Sequence, residues 1–135
     1  MNDNSEPVWL GTQQAMSIHD MCIEEQGGSS GIRDEGLLES ALARPQNAYS
    51  YGENNIFLLA AAYAEGIARN HAFVDGNKRA AYATADMFLY LNGYDLNAES
   101  PSAQITLFEN LAQGRINREE LAEFYRQNTS KMKKP

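Results

Sequence analysis

Two stretches of the chain are apolar on nearly every face. Residues 54–69 contain Ile56-Phe57-Leu58-Leu59-Ala60-Ala61-Ala62-Tyr63-Ala64, and residues 79–92 contain Ala80-Ala81-Tyr82-Ala83 and Met87-Phe88-Leu89-Tyr90-Leu91. A helix without a polar face belongs at the centre of a bundle, so these two are predicted as the central helices. Narrower apolar stripes predict helices around them. One runs from an N-cap at Thr12 to residue 26, with Ala15 or Met16, then His19, Cys22 and Ile23 turned inward. Asp34 caps the next, over residues 35–44, with Leu37, Leu38, Ala41 and Leu42 as its stripe and Pro45 as its stop. Gly93 reads as the residue just past the second central helix. Pro101 opens a helix to residue 113, with Ile105, Leu107, Phe108 and Leu111 apolar. Asn117 followed by Glu120 forms a capping box for a last helix to residue 127, with Leu121, Phe124 and Tyr125 inward. Trp9 reads as a packed anchor before the first helix. Residues 27–31, 46–53 and 94–100 are left as connections. The expected fold is all-α, a compact helical bundle. It forms one domain over residues 8–128, between a loose arm (1–7) and a short basic tail (129–135).

Composition narrows the chemistry. At 135 residues and 43% hydrophobic, the chain suits a single buried core. Its net charge of -7 disfavours direct nucleic-acid binding. Cys22 is the one cysteine, so no internal disulfide forms, and it reads as a small buried hydrophobe. No Cys/His cluster has zinc-site spacing. The first residues are acidic and polar, unlike a signal peptide, and no apolar run has the length to span a membrane. The expected location is the cytoplasm.

The polar segment between the two central helices is His71-Ala72-Phe73-Val74-Asp75-Gly76-Asn77-Lys78-Arg79. Gly76 permits close approach of a ligand to the main chain. Asn77 is expected to cap the following helix. The free N–H groups and dipole at that helix start favour an anion, and Lys78 and Arg79 add two positive charges where acidic residues are the stable choice. A bound phosphate explains that inversion. Asp75 suits a hard cation such as Mg²⁺ beside it, and His71 is a proton acceptor near neutral pH. Together these parts suggest phosphoryl or nucleotidyl transfer. A plain helix start with a common Gly-Asn turn is the competing reading.

The spacing resembles the Fic/Doc signature, His-x-Phe-x-Asp/Glu-Gly-Asn-Gly/Lys-Arg, and every fixed position is met. Lys78 after the Asn is the form of the Doc ("death on curing") branch. Residues 27–46, from Gly27-Gly28-Ser29-Ser30-Gly31 through Pro45-Gln46, also look like the N-terminal half of Doc-like toxins, so the resemblance covers about residues 8–125. It implies that His71 is the general base, Asp75 holds Mg²⁺, and Gly76, Asn77, Lys78 and Arg79 bind phosphate. Phe73 would anchor the loop on the core. In the family a flap holds the target peptide by strand addition. The resemblance places it at residues 46–53, with Tyr49, Tyr51 and Gly52 as a small β-hairpin; otherwise that segment is a linker.

Three departures shape what the resemblance implies. Adenylylating relatives carry Gly where this chain has Lys78, and a second Arg where it has Tyr82. The Doc pattern implies transfer of the terminal phosphate of ATP to a protein hydroxyl, by family precedent a threonine of elongation factor Tu, arresting translation. Ala72 stands in place of the usual Pro. The inhibitory Ser/Thr-x-x-x-Glu-Gly/Asn helix of some relatives is not found, so restraint is expected from a Phd-type antitoxin. The alternatives are a Fic-type adenylyltransferase and a catalytically silent antitoxin-binding module.

Overall fold

The computed structural model of the chain describes residues 6–97 and 101–132. Residues 1–5 of the expected arm, residues 98–100 of the connection before Pro101 and residues 133–135 of the tail lie outside that description. The elements run α1 (Thr12–Gln26), α2 (Glu35–Ser50), α3 (Ile56–Asn70), α4 (Asn77–Leu91), β1 (Tyr94–Leu96), α5 (Pro101–Ala112), α6 (Arg118–Asn128) and β2 (Thr129–Lys131). The fold is all-α, as expected. Among the described residues no helix is long and apolar enough to cross a membrane.

Helix α3 is the axis of the bundle. Every residue from 59 to 68 is buried, and α2, α4, α5 and α6 all pack against it. Its run of alanines makes this close packing feasible, and Gly66 extends it. A Cβ on Gly66 would sit 3.0 Å from the Ala41 main chain of α2. One charge is enclosed in α3. Glu65, 7% exposed, meets Arg118 at 2.8 Å, Arg69 at 3.0 Å and Arg44 at 3.4 Å. A carboxylate taken out of water needs such partners.

The second central helix is less enclosed than its sequence suggests. On α4, Ala80, Ala81, Thr84, Ala85, Phe88 and Leu89 are buried, whereas Met87, Tyr90 and Leu91 are exposed. The expected stop at Pro45 is also corrected, because α2 continues to Ser50. Proline removes one N–H but has helical φ, and tertiary contacts carry the last turns. Pro45 is buried, and Tyr49 packs edge-on against Trp9 at a centroid distance of 5.5 Å. Trp9 is the expected anchor, stacked also on Phe88 at 5.8 Å.

The same extension removes the hairpin expected over residues 46–53. Tyr49 lies in the last turn of α2, Tyr51 is its C-cap, and Gly52 follows in a short turn. The one sheet among the described residues lies elsewhere, where β1 pairs antiparallel with β2, Asp95 opposite Ser130. At α1 the N-cap is Gly11, one residue before the expected Thr12. The capping box of α6 forms as read, with Asn117 Oδ1 accepting from Glu120 N at 2.8 Å and Glu120 Oε1 accepting from Asn117 N at 3.0 Å.

Candidate active site

The polar segment lies between the end of α3 and the start of α4. His71 is the C-cap of α3, with φ 52. Among the described residues it is the only non-glycine at positive φ. A side chain in that region costs about 1–2 kcal/mol, so its surroundings must hold it. Arg33 Nε donates to the His71 carbonyl at 2.8 Å, and the main-chain N–H groups of Arg33 and Asp34 donate to Ala72 O at 2.7 and 3.0 Å. Asn70 is fixed from the other side. Its Nδ2 donates to Leu37 O at 2.9 Å and its Oδ1 accepts from Arg44 at 3.1 Å. Through Arg44, the buried Glu65 is linked to the residue before His71. The His71 side chain itself is exposed.

Residues 27–34 run antiparallel to the loop as a strap. Ile32 stands opposite Phe73, and Val74 N donates to Gly31 O at 3.1 Å. Phe73 is buried, 1% exposed, as the expected anchor. Asn77 does not cap α4. The N-cap is Gly76, φ 72, and Asn77 is the first helical residue. Its side chain turns back across the loop, where Oδ1 accepts from Phe73 N and Nδ2 donates to Phe73 O, each at 3.0 Å. This pairing with the main chain is a stronger use of the amide than one cap bond, because both of its ends are satisfied.

Asp75 faces solvent at the mouth of this arrangement. Its Oδ1 accepts from Gly76 N at 2.8 Å and its Oδ2 from Ser29 N at 3.2 Å. These two main-chain donors hold its carboxyl below the usual carboxylate range, Ser29 first. The strap must come very close to do this. A Cβ on Gly28 would lie 2.6 Å from Asp75 Oδ2. Gly76 is similarly enclosed, by Ile23 at 3.2 Å and His19 Nε2 at 3.6 Å.

Helix α4 begins without a side-chain cap and without an acidic residue in its first turn. Its first intrahelical bond is Ala80 N to Gly76 O, so the N–H groups of residues 77–79 precede the helical ladder. Lys78 is exposed beside them. Arg79 reaches the end of α1, donating to Gln26 Oε1 at 3.2 Å and to Gly27 O at 3.1 Å. A guanidinium has five N–H donors, so others are left for an anion. Tyr82 is part of the packing, edge-on to Phe108 at 5.6 Å. Cys22 is buried, and burial pushes its thiol up, which suits the expected packing role. Tyr49 packs on Trp9 and Tyr51 lies at the end of α2, with no hydrogen bond or ring contact to this loop among the described residues.

The residues fit a divalent cation held jointly with a ligand. Among the described residues no group of three or more His, Cys, Asp or Glu forms a metal cage. A single ionised, exposed Asp75 matches the habit of Mg²⁺, which takes one or two carboxylates and completes its shell with phosphate oxygens and water. Four contributors escape the sequence reading: Gly28, Ser29 through its main chain, Arg33, and His19 as a contact of the loop. The glycine-rich stretch was legible as a connection. Nothing local to it shows that Ser29 crosses 46 positions of sequence to lie on Asp75.

An exposed histidine, a carboxylate set by two amides and a braced Gly-Asn helix start define the class. Residues 9–89 match the Fic/DOC family, and the chain belongs to it. Two Doc proteins are similar to it. Toxin Doc of Mycolicibacterium smegmatis is 50% identical over 76 residues, which are 54% of this chain and 58% of that toxin, so less than two-thirds of its length is spanned. Protein kinase doc of Escherichia phage P1 is 32% identical over 99 residues, 73% of this chain and 79% of that protein.

Proposed function

We propose that the chain is a Doc-like toxin that transfers the terminal phosphate of ATP to a hydroxyl of a target protein. The observation that carries the reading is the joint placement of His71, Asp75 and the uncapped start of α4 on one braced loop. His71 accepts the proton of the attacking hydroxyl. The hydroxyl oxygen forms a bond to the γ-phosphorus as the bond to the β–γ bridging oxygen breaks, leaving ADP. The N–H groups of residues 77–79, Lys78 and Arg79 bind and orient the phosphates. Asp75 would hold Mg²⁺, which when bound neutralises charge on those phosphates. Phe73 and Asn77 keep the loop in place.

Transfer of phosphate in place of AMP is favoured by Tyr82. The position of a second phosphate-binding Arg is filled by a ring packed on Phe108. The name of the phage P1 relative, a protein kinase, points the same way. The strap takes the flap role first expected at residues 46–53. Around the Ile32–Phe73 pair, the bonds run from Arg33 N to Ala72 O and from Val74 N to Gly31 O. In that geometry the Ile32 N–H and C=O point away from the loop. They offer a target segment an edge on which to add as a strand. By family precedent the target is a threonine of elongation factor Tu in the cytoplasm. A Phd-type antitoxin restrains the toxin, and the net charge of -7 suits a basic segment of that partner.

Mass spectrometry of elongation factor Tu after incubation with the chain, Mg²⁺ and ATP tests this. The expected result is a gain of one phosphate that disappears with His71→Ala. A gain of AMP would replace the kinase reading with the adenylylating one. No labelling of any protein in a lysate from γ-labelled or α-labelled ATP would overturn transferase activity and leave the silent antitoxin-binding module.

A further inference from the structure

His19 lies on α1, far in sequence from the loop, and is 1% exposed. Its ring stacks on Phe73 with centroids 3.9 Å apart and planes 4° from parallel. Its Nε2 lies 2.7 Å from the main-chain carbonyl of Asp75. A carbonyl only accepts, so Nε2 carries the proton and donates.

That carbonyl shares a peptide group with the N–H of Gly76, the same N–H that Asp75 Oδ1 accepts at 2.8 Å. The peptide plane is therefore held at both edges, by imidazole at the oxygen and by carboxylate at the nitrogen. Such a hold is needed here. Gly76 sits at φ 72, and with no Cβ to restrict it the 75–76 peptide turns easily. A turned peptide would withdraw the Gly76 N–H and leave the Asp75 carboxylate aimed by Ser29 alone.

We propose that His19 is a positioning residue for the site: it locks the Asp75–Gly76 peptide, so that α1 sets the direction in which the Asp75 carboxylate is presented. It touches neither phosphate nor target in this role. The consequence for catalysis rests on the function proposed above, whereas the lock itself is a property of the protein alone.

Amide hydrogen exchange of the ligand-free protein tests the lock. His19→Phe keeps a ring on Phe73 and removes the donor. His19→Gln removes the ring and keeps an N–H within reach. With His19→Phe, exchange at Gly76 and Ser29 is expected to rise about tenfold, the loss of one buried hydrogen bond, while residues 59–68 of α3 stay unchanged. His19→Gln is expected to restore much of the protection. Unchanged exchange at Gly76 and Ser29 in His19→Phe would overturn the proposal. So would a rise there matched by the α3 core, which would make His19 merely structural. In the transfer assay, His19→Phe is expected to lower kcat about tenfold with KM for the target protein unmoved. A wild type without transfer would overturn the proposed function and leave the exchange result to decide the role of His19.

Discussion

Asn77 holds both main-chain polar groups of Phe73, accepting from its N–H and donating to its C=O at 3.0 Å each. Replacing Asn77 by Ala leaves those two groups without their partners in a part-buried place. The expected cost is about 2 kcal/mol in urea unfolding, with loss of transfer activity. Asn77→Asp is expected to be no better, although its shape is the same. It keeps the acceptor but sets a second oxygen against Phe73 O. Wild-type stability in Asn77→Asp would show that the donor half contributes nothing.

Glu65 is the charge on which three arginines converge. Glu65→Ala removes the one buried partner and strands them. Each arginine side chain is about one-third exposed, so each can turn to water. The loss is therefore expected at the lower end for a broken buried pair, about 3 kcal/mol, read from denaturant midpoints. Because Arg44 also binds Asn70, the amide exchange of His71 should rise as well.

Gly28→Ala places a methyl group 2.6 Å from Asp75 Oδ2 at φ 113. The strap must withdraw, and the Ser29 N–H with it. Calorimetry with Mg²⁺ and a non-hydrolysable ATP analogue is expected to show about tenfold weaker binding, the effect of one lost charge-assisted hydrogen bond. The melting temperature should change little, because the strap is exposed.

Two carboxylates should respond to pH with opposite sign. The Ser29 and Gly76 N–H groups lower Asp75. Its contribution to stability is therefore present above the ordinary carboxylate pKa and lost as pH falls through the lower folded value. Asp86 is raised, by burial and then by the nearby Asp95. It costs nothing at a pH where both states are protonated. It destabilises the fold increasingly as pH rises from the ordinary carboxylate range through its raised value. Asp86→Asn should therefore unfold at a higher temperature than wild type at pH 7, with the gap closing toward pH 3. Thermal unfolding followed by circular dichroism across that range checks the sign.

Much of the helical plan was legible because it rests on local signals. The apolar run in α3, the Asn117–Glu120 box and Gly93 after α4 each act within a few residues. Pro45 misleads because the penalty of proline inside a helix, about 3 kcal/mol, is local and is offset here by packing. The packing of Tyr49 on Trp9 comes from residues 40 positions apart. Asn77 departs from the expected cap for a related reason. Its residue type suits an N-cap, but the loop curls so that Phe73 lies within reach of its amide.

By itself the sequence determined an all-α bundle built on two apolar helices and a Fic/Doc loop from His71 to Arg79. Both depend on residue order over short spans, in helical periodicity and in a nine-residue motif. That α3 alone is the axis of the bundle came from the packing. Tertiary structure alone decided which distant segments complete that loop. The strap of residues 27–34, His19 on α1, and Arg44 with Glu65 reach it only once α1, α2 and α3 have packed. Those contacts are made by main-chain amides and by side chains of ordinary type. Residue identity alone does not say which of them will meet the loop.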